Sequence, residues 1–238
     1  MASTAQSISG WSETAKCALV TGASSGIGKS IVSRLLAEGW SVIGVSRTPS
    51  GEKAANYHSL LVDLSNFERL KAALESIPRI DAIVHAAGFM TTAPLGALRV
   101  EDGLSMWSVH VGAAVVIMNE LASRLPDGGR VVLIGSRTAC GAAGRSQYSA
   151  TKSALIGLSR SWAAELVSRR ITVNVVAPGA TETSMLLDPG RSGTPPRKPP
   201  MGRFVQPEEV AGAVLFLLGP DAGAITGQQL VMCGGASL

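Results

Sequence analysis

Tyr148 and Lys152 stand four residues apart, and Ser136 lies twelve residues before the tyrosine. On a helix, positions i and i+4 share a face, so this spacing brings a phenol and an ammonium together. A tyrosine hydroxyl titrates near 10 in water. A neighbouring cation favours the phenolate, and a three-unit fall takes about 4 kcal/mol of differential interaction. Tyr148 then becomes an acid or base at neutral pH, while Ser136 can hold a reacting oxygen as it gains charge. The chain has two tyrosines and six lysines, so such a pair is not a frequent accident.

A second chemical feature lies near the start. The turn Thr21-Gly-Ala-Ser-Ser-Gly-Ile-Gly28 follows an apolar run and precedes a helical pattern. Glycines at Gly22, Gly26 and Gly28 suit a sharp exit from a strand, close approach of a pyrophosphate and tight helix packing. The helix N-terminus then offers unpaired N–H groups and partial positive charge to phosphates. Ser24, Ser25 and Ile27 belong to the same cradle. The next strand ends at Ser46-Arg47, about 19 residues beyond Gly28, with no carboxylate there. An acid at this point would accept from an NAD ribose, whereas an arginine accommodates a 2′-phosphate. Arg47 is thus either a solvated surface residue or a phosphate partner, and the missing acid favours NADP(H) over NAD(H).

These groups need a scaffold, and the hydrophobic pattern supplies one. Apolar runs at Cys17–Thr21, Ser41–Ser46, Ser59–Val62, Asp81–His85, Arg130–Gly135, Thr172–Ala177 and Gln229–Met232 read as strands. Helical candidates lie between them at Lys29–Glu38, Phe67–Ser76, Glu101–Leu125, Gln147–Ser168 and Pro207–Leu218. Continuous apolar strands alternating with helices predict a parallel sheet covered on both faces, a doubly wound α/β domain of about seven strands. Residues 1–14 read as a flexible polar tail and 15–238 as one domain. The stretch 184–204 reads as a lid, its Asp188–Pro200 part being rich in proline.

Composition narrows the function. With 46% hydrophobic and 16% charged residues in 238, disorder is excluded. The net charge of +4 is dispersed and aromatics make up only 4%, which argues against a nucleic-acid partner. No apolar run reaches the roughly 18 residues of a membrane span. Three scattered cysteines, Cys17, Cys140 and Cys233, make neither a disulfide framework nor a metal set and fit a reduced, cytoplasmic setting.

Several further motifs occur in order: Asp63-Leu64, Ala86-Ala87-Gly88, Tyr148-Ser-Ala-Thr-Lys152, Asn174-Val-Val-Ala-Pro178-Gly179, Thr183 with Met185 (Thr181 beside them), Gly202-Arg-Phe-Val-Gln-Pro-Glu-Glu-Val210 and Ile225-Thr-Gly-Gln228. With the glycine turn and Ser136 they carry a resemblance to the classical branch of the short-chain dehydrogenase/reductase (SDR) family, from Lys16 to Gly235. The resemblance implies a Rossmann-like fold and an oxidoreductase interconverting a carbonyl and an alcohol on a small molecule. By the same resemblance Asp63 holds the adenine edge, Lys152 also grips the nicotinamide ribose, and Thr183 contacts the cofactor amide. It also implies a homodimer or homotetramer built on the two long helices.

The chain departs from that pattern in three places. His85 replaces a common Asn after the fourth strand. His110 stands where the fourth catalytic member, an Asn, is expected, and Cys233 replaces an Asp before two glycines. His110 reads either as part of a proton path, since imidazole passes protons near neutrality, or as a packed helix histidine. These departures motivate a second reading, a nucleotide-binding regulator with little turnover. Such a protein would not require Ser136, Tyr148 and Lys152 together.

Overall fold

The computed structural model describes residues 15–77, 79–186 and 196–238. The tail at 1–14 and the central part of the expected lid, 187–195, lie outside the described residues. In chain order the elements are β1 (Cys17–Thr21), α1 (Gly26–Ala37), β2 (Ser41–Ser46), β3 (Tyr57–Leu61), α2 (Phe67–Glu75), β4 (Ala82–His85), α3 (Val100–Trp107) and α4 (Ala113–Leu121). There follow β5 (Arg130–Ile134), α5 (Ser146–Leu166), β6 (Thr172–Pro178), α6 (Pro207–Leu218) and β7 (Gln229–Met232).

The seven strands form one sheet in the order β3-β2-β1-β4-β5-β6-β7, all pairs parallel. Successive strand residues point to opposite faces, and each face has its own core. Leu19, Ile43, Ile83, Val131, Leu133 and Val175 face the side covered by α2, α4 and α5. Val20, Val42, Val84, Val132 and Val176 face the side covered by α1 and α6. The order reverses between β1 and β4, and the crevice outside the strand ends at such a switch point is where ligands bind in open α/β sheets.

The fold differs from the sequence reading at particular points. Helix α1 begins at Gly26, three residues before the expected Lys29, because Ser25 is itself the extended cap residue. The glycine turn therefore opens directly into the helix N-terminus. Strand β3 starts at Tyr57 and is only partly buried, and Leu230 and Val231 of β7 are exposed. Both are edges, so burial on two faces holds for the inner strands alone. The expected helix Glu101–Leu125 is one helical stretch from Val100 to Arg124 with a π-helical turn, Ser108–Gly112, between α3 and α4. By length and composition this 25-residue stretch could cross a bilayer. Its inward residues Met106, Val111, Ile117 and Leu121 are buried in the protein instead.

Candidate active site

The strand ends at the switch point open into a cavity of about 1310 Å³. Ser136, Tyr148 and Lys152 line it together with Gly22, Ser25, Gly26, Ile27 and Gly28 of the glycine turn. Ala86, Ala87, Gly88, Pro178, Gly179, Thr181 and Thr183 complete that wall. The cradle depends on missing side chains. A Cβ on Gly28 would lie 2.2 Å from the Gly22 carbonyl oxygen, a distance no packing adjustment relieves. The bare backbone of the turn and the N–H groups opening α1 thus fit a dinucleotide pyrophosphate.

Lys152 is the electrostatic centre of the cavity wall. It is 4% exposed and its Nζ donates to the Ile134 carbonyl at 2.8 Å. Burial pushes its pKa down to about 7, since desolvation disfavours the charged form. Nζ lies 5.8 Å from the centroid of the Tyr148 ring. Ser136 Oγ accepts from the Thr138 N–H at 3.2 Å and pairs with the Thr138 hydroxyl at 2.9 Å. This fixes the serine at the mouth of β5.

The two histidines are engaged in holding the site. Phe89 N–H donates to His110 Nε2 at 3.1 Å, so that nitrogen is an acceptor and the ring proton sits on Nδ1. Nδ1 donates to Thr151 Oγ1 at 2.8 Å, and the Thr151 hydroxyl donates to the Tyr148 carbonyl at 2.8 Å. The imidazole also packs edge-on to the Tyr148 ring, with centroids 5.7 Å apart. A Cβ on Gly88 would lie 2.9 Å from His110 Nε2, so only glycine admits the ring here. Burial first, then the charge of Lys152, keeps the His110 pKa well below the usual histidine value. The proton-path reading of His110 therefore meets a neutral ring with both nitrogens engaged. Its observed contacts are those of a positioning residue for Tyr148.

His85 does the corresponding work one layer behind. Its Nε2 donates to the carbonyls of Val109 and His110, each at 3.1 Å. Both carbonyls belong to the π turn, so His85 braces the departure from α-helical bonding that presents His110. Its Nδ1 accepts from the Thr21 hydroxyl at 2.9 Å. Thr21 Oγ1 in turn accepts from the N–H groups of Ala86 and Ala87 at 3.1 and 3.0 Å. The chain of contacts thus runs from the glycine turn to the Tyr148–Lys152 face of α5. Among the described residues no set of His, Cys, Asp and Glu is placed to hold a metal ion.

The remaining expected cofactor residues stand outside the cavity wall, Ser24 in the glycine turn and Ser46, Arg47, Asp63 and Leu64 at the ends of β2 and β3. Arg47 is exposed. Ser46 is buried, and its hydroxyl donates to the Thr48 carbonyl at 2.7 Å. The phosphate-facing part expected of Ser46 is therefore open instead to Thr48 and Ser24, whose hydroxyls pair at 3.3 Å. Asp63 is exposed, held below the usual carboxylate range mainly by the backbone N–H and hydroxyl of Ser65 at 2.9 and 2.8 Å. Leu64 points into the core, leaving only its backbone for a ligand. Thr48, Thr138 and Thr151 escaped the sequence reading.

A doubly wound sheet with a glycine-cradled dinucleotide site and a Ser–Tyr–Lys face defines a class of nucleotide-dependent oxidoreductases. Residues 22–237 match the family model described as enoyl-(acyl carrier protein) reductase. The chain is 37% identical to the 3-oxoacyl-(acyl-carrier-protein) reductase FabG of Salmonella typhimurium, covering 92% of this chain and 96% of that one. A blue fluorescent protein from a metagenomic library, solved in complex with NADPH, superposes with a TM-score of 0.83 at 33% identity, covering 94% and 98%. A 3-ketoacyl-(acyl-carrier-protein) reductase of Brucella melitensis complexed with NADH gives 0.84 at 27%, with the same coverage. The chain belongs to the short-chain dehydrogenase/reductase family and is an oxidoreductase.

Two outcomes follow from the histidines. As a positioning residue, His110→Ala lowers kcat about tenfold, and His110→Asn restores part of it. Neither moves the pKa values of the kcat–pH profile, because the ring passes no proton; a lost or shifted limb would return it to the proton path. The second outcome concerns acid stability. Burial pushes His85 down to about 4 from 6.5, with the charge of Lys152 adding to it. The unfolded chain takes up protons the folded one refuses, so stability falls between pH 6.5 and 4, by up to about 3 kcal/mol for His85. Denaturant unfolding across that range should show a shallower pH slope in His85→Asn than in the wild type.

Proposed function

We propose that the protein interconverts a carbonyl and an alcohol on a small molecule, using NADP(H) in preference to NAD(H). The observation that carries the reading is the convergence of Ser136, Tyr148 and Lys152 on the cavity that the glycine turn also lines. A regulator with little turnover has no use for that set. The family's name-bearing relatives act on 3-oxoacyl groups, which are ketones, and this supports the reaction class.

The glycine turn and the N-terminus of α1 would hold the pyrophosphate, with Thr181 and Thr183 at the nicotinamide end. Bound there, the nicotinamide ring supplies or takes the hydride. The chain's own residues manage the oxygen and its proton. Ser136 Oγ accepts from the Thr138 N–H, and with the Thr138 hydroxyl also donating to it its own hydrogen is left for the substrate oxygen. Tyr148 donates the proton that turns the reduced oxygen into a hydroxyl, and accepts it back in oxidation. Lys152 stands beside the ring, and its ammonium stabilises the phenolate left behind. The same ammonium would take the ribose hydroxyls, since its only acceptor among the described residues is the Ile134 carbonyl. Exposed Arg47, flanked by the Ser24 and Thr48 hydroxyls, suits a 2′-phosphate, a site for charge-assisted bonds.

Assembly is part of the proposal. Val100, Leu104 and Trp107 leave apolar surface exposed on α3, and a second copy in a homodimer or homotetramer would cover it. A cytoplasmic location and a small-molecule partner, without nucleic acid or membrane, complete the reading.

Two measurements test it. Tyr148→Phe removes only the transferable proton, so kcat should fall by about 10² or more while cofactor affinity measured by fluorescence stays within about twofold. Near-normal turnover would move the chemistry elsewhere. The ratio of kcat/KM with NADPH to that with NADH should exceed one in the wild type. It should fall roughly 10–100-fold in Arg47→Ala, the size of a lost charge-assisted contact. Equal use of both cofactors, unmoved by the substitution, would reject the NADP(H) preference.

A further inference from the structure

The substrate half of the cavity has a charge pattern that the reaction itself does not call for. Arg137, Arg145, Arg197 and Lys198 all line it, and no Asp or Glu does among the described residues. Met90 and Leu186 supply apolar wall beside them. Not every cation of the region turns this way. Arg203 is bound to Glu209 through two contacts of 2.7 Å and does not line the cavity.

Resting on the carbonyl–alcohol reading above, we infer that the substrate carries an anionic group, a carboxylate or phosphate, and that Arg137 is its principal anchor. Three observations converge on Arg137. It directly follows Ser136, so its Cα lies about 3.8 Å from that of the residue holding the substrate oxygen. It is half-buried, at the start of the short turn Arg137–Cys140 that closes over α5. Its Nη1 reaches the Ala236 carbonyl at 3.3 Å, and it forms no salt bridge among the described residues. A guanidinium has five N–H donors, so that one contact leaves a fork to meet two oxygens of an anion.

Arg145 lies three residues before Tyr148 and lines the same cavity. The anion and the carbonyl thus belong to one compact molecule, a few bonds apart. Arg197 and Lys198 are exposed. Individually such charges hold little, but with no acid among the described wall residues to oppose them they draw anions toward the mouth. The cofactor's phosphates belong to the opposite flank, at the glycine turn, where backbone N–H groups serve them.

The test compares acetoacetate with ethyl acetoacetate, and dihydroxyacetone phosphate with dihydroxyacetone, using the full chain and saturating NADPH. Each anion should exceed its neutral counterpart in kcat/KM. The larger ratio of the two pairs tells carboxylate from phosphate. The favoured ratio should fall at least tenfold in Arg137→Ala, recover partly in Arg137→Lys, and shrink between low and 0.5 M salt as screening grows to roughly 0.5 M strength. A merely structural role for Arg137 would lower both members of a pair together and leave the ratio in place, which would overturn the proposal. A ratio of one in both pairs, with turnover intact, would also overturn it while leaving carbonyl reduction standing. If no probe is turned over, the carbonyl reading fails for these ketones, and titration calorimetry decides the anion site separately. Saturable binding of malonate or inorganic phosphate to the NADPH complex, lost in Arg137→Ala, supports it. Absence of such binding overturns it.

Discussion

Among the described residues, the site is organised around a lysine ammonium held inside the protein without a carboxylate partner. Lys152 has one carbonyl acceptor, and burial brings its pKa down to about 7. A paired acid would have kept the charge fixed and also neutralised its effect on Tyr148. Without that acid, the ammonium's field reaches the phenol undiminished, and it is near its own titration point at neutral pH. The cost is structural. Everything packed around Nζ is neutral or a dipole: burial first, and the charge of Lys152 second, keeps His85 and His110 uncharged beside it.

That restriction explains the framework behind the catalytic face. A neutral imidazole has one donor and one acceptor, and both histidines use the two in opposite senses. His110 accepts from the Phe89 backbone and donates toward Thr151 and the Tyr148 turn. His85 accepts from Thr21 and donates to the carbonyls of the π turn. The result links β1, β4, the α3–α4 junction and α5 through side chains that carry no charge. A π turn in a helix leaves carbonyls displaced from their usual partners, and His85 is placed to satisfy two of them.

Much of this was legible in the sequence, and what was not has a common cause. The inner strands β1 and β2 and helix α6 matched their apolar patterns residue for residue, because burial on a packed face leaves a local signature. The Tyr148–Lys152 pair was legible because its spacing is helical, and Ser136 because it stands at the end of an apolar strand run. The π turn was not, since its acceptor sites are matched by a histidine some 25 residues earlier in the chain, beyond any local window. Ser46 is a different case: its hydroxyl turns back to Thr48, only two residues on, a local contact that its place at the strand end did not reveal. His110 gave a residue type at a meaningful position. Only its partners show that the ring orients the tyrosine turn.

The cavity also divides its recognition by chemistry. On the dinucleotide side the contacts come from the backbone of the glycine turn, where a Cβ at Gly28 would collide with Gly22. Such a surface tolerates almost no change in sequence. On the substrate side the polar contacts come from side chains in the segments after β5 and β6, which connect elements without building the sheet. Side chains there can be exchanged while the strand ends, Ser136 and the Tyr148–Lys152 face stay fixed. Substrate choice is therefore separable from hydride chemistry in this fold. The fixed half presents bare backbone to a dinucleotide, and Arg137 and Arg145, next in sequence to Ser136 and three residues before Tyr148, line the other half.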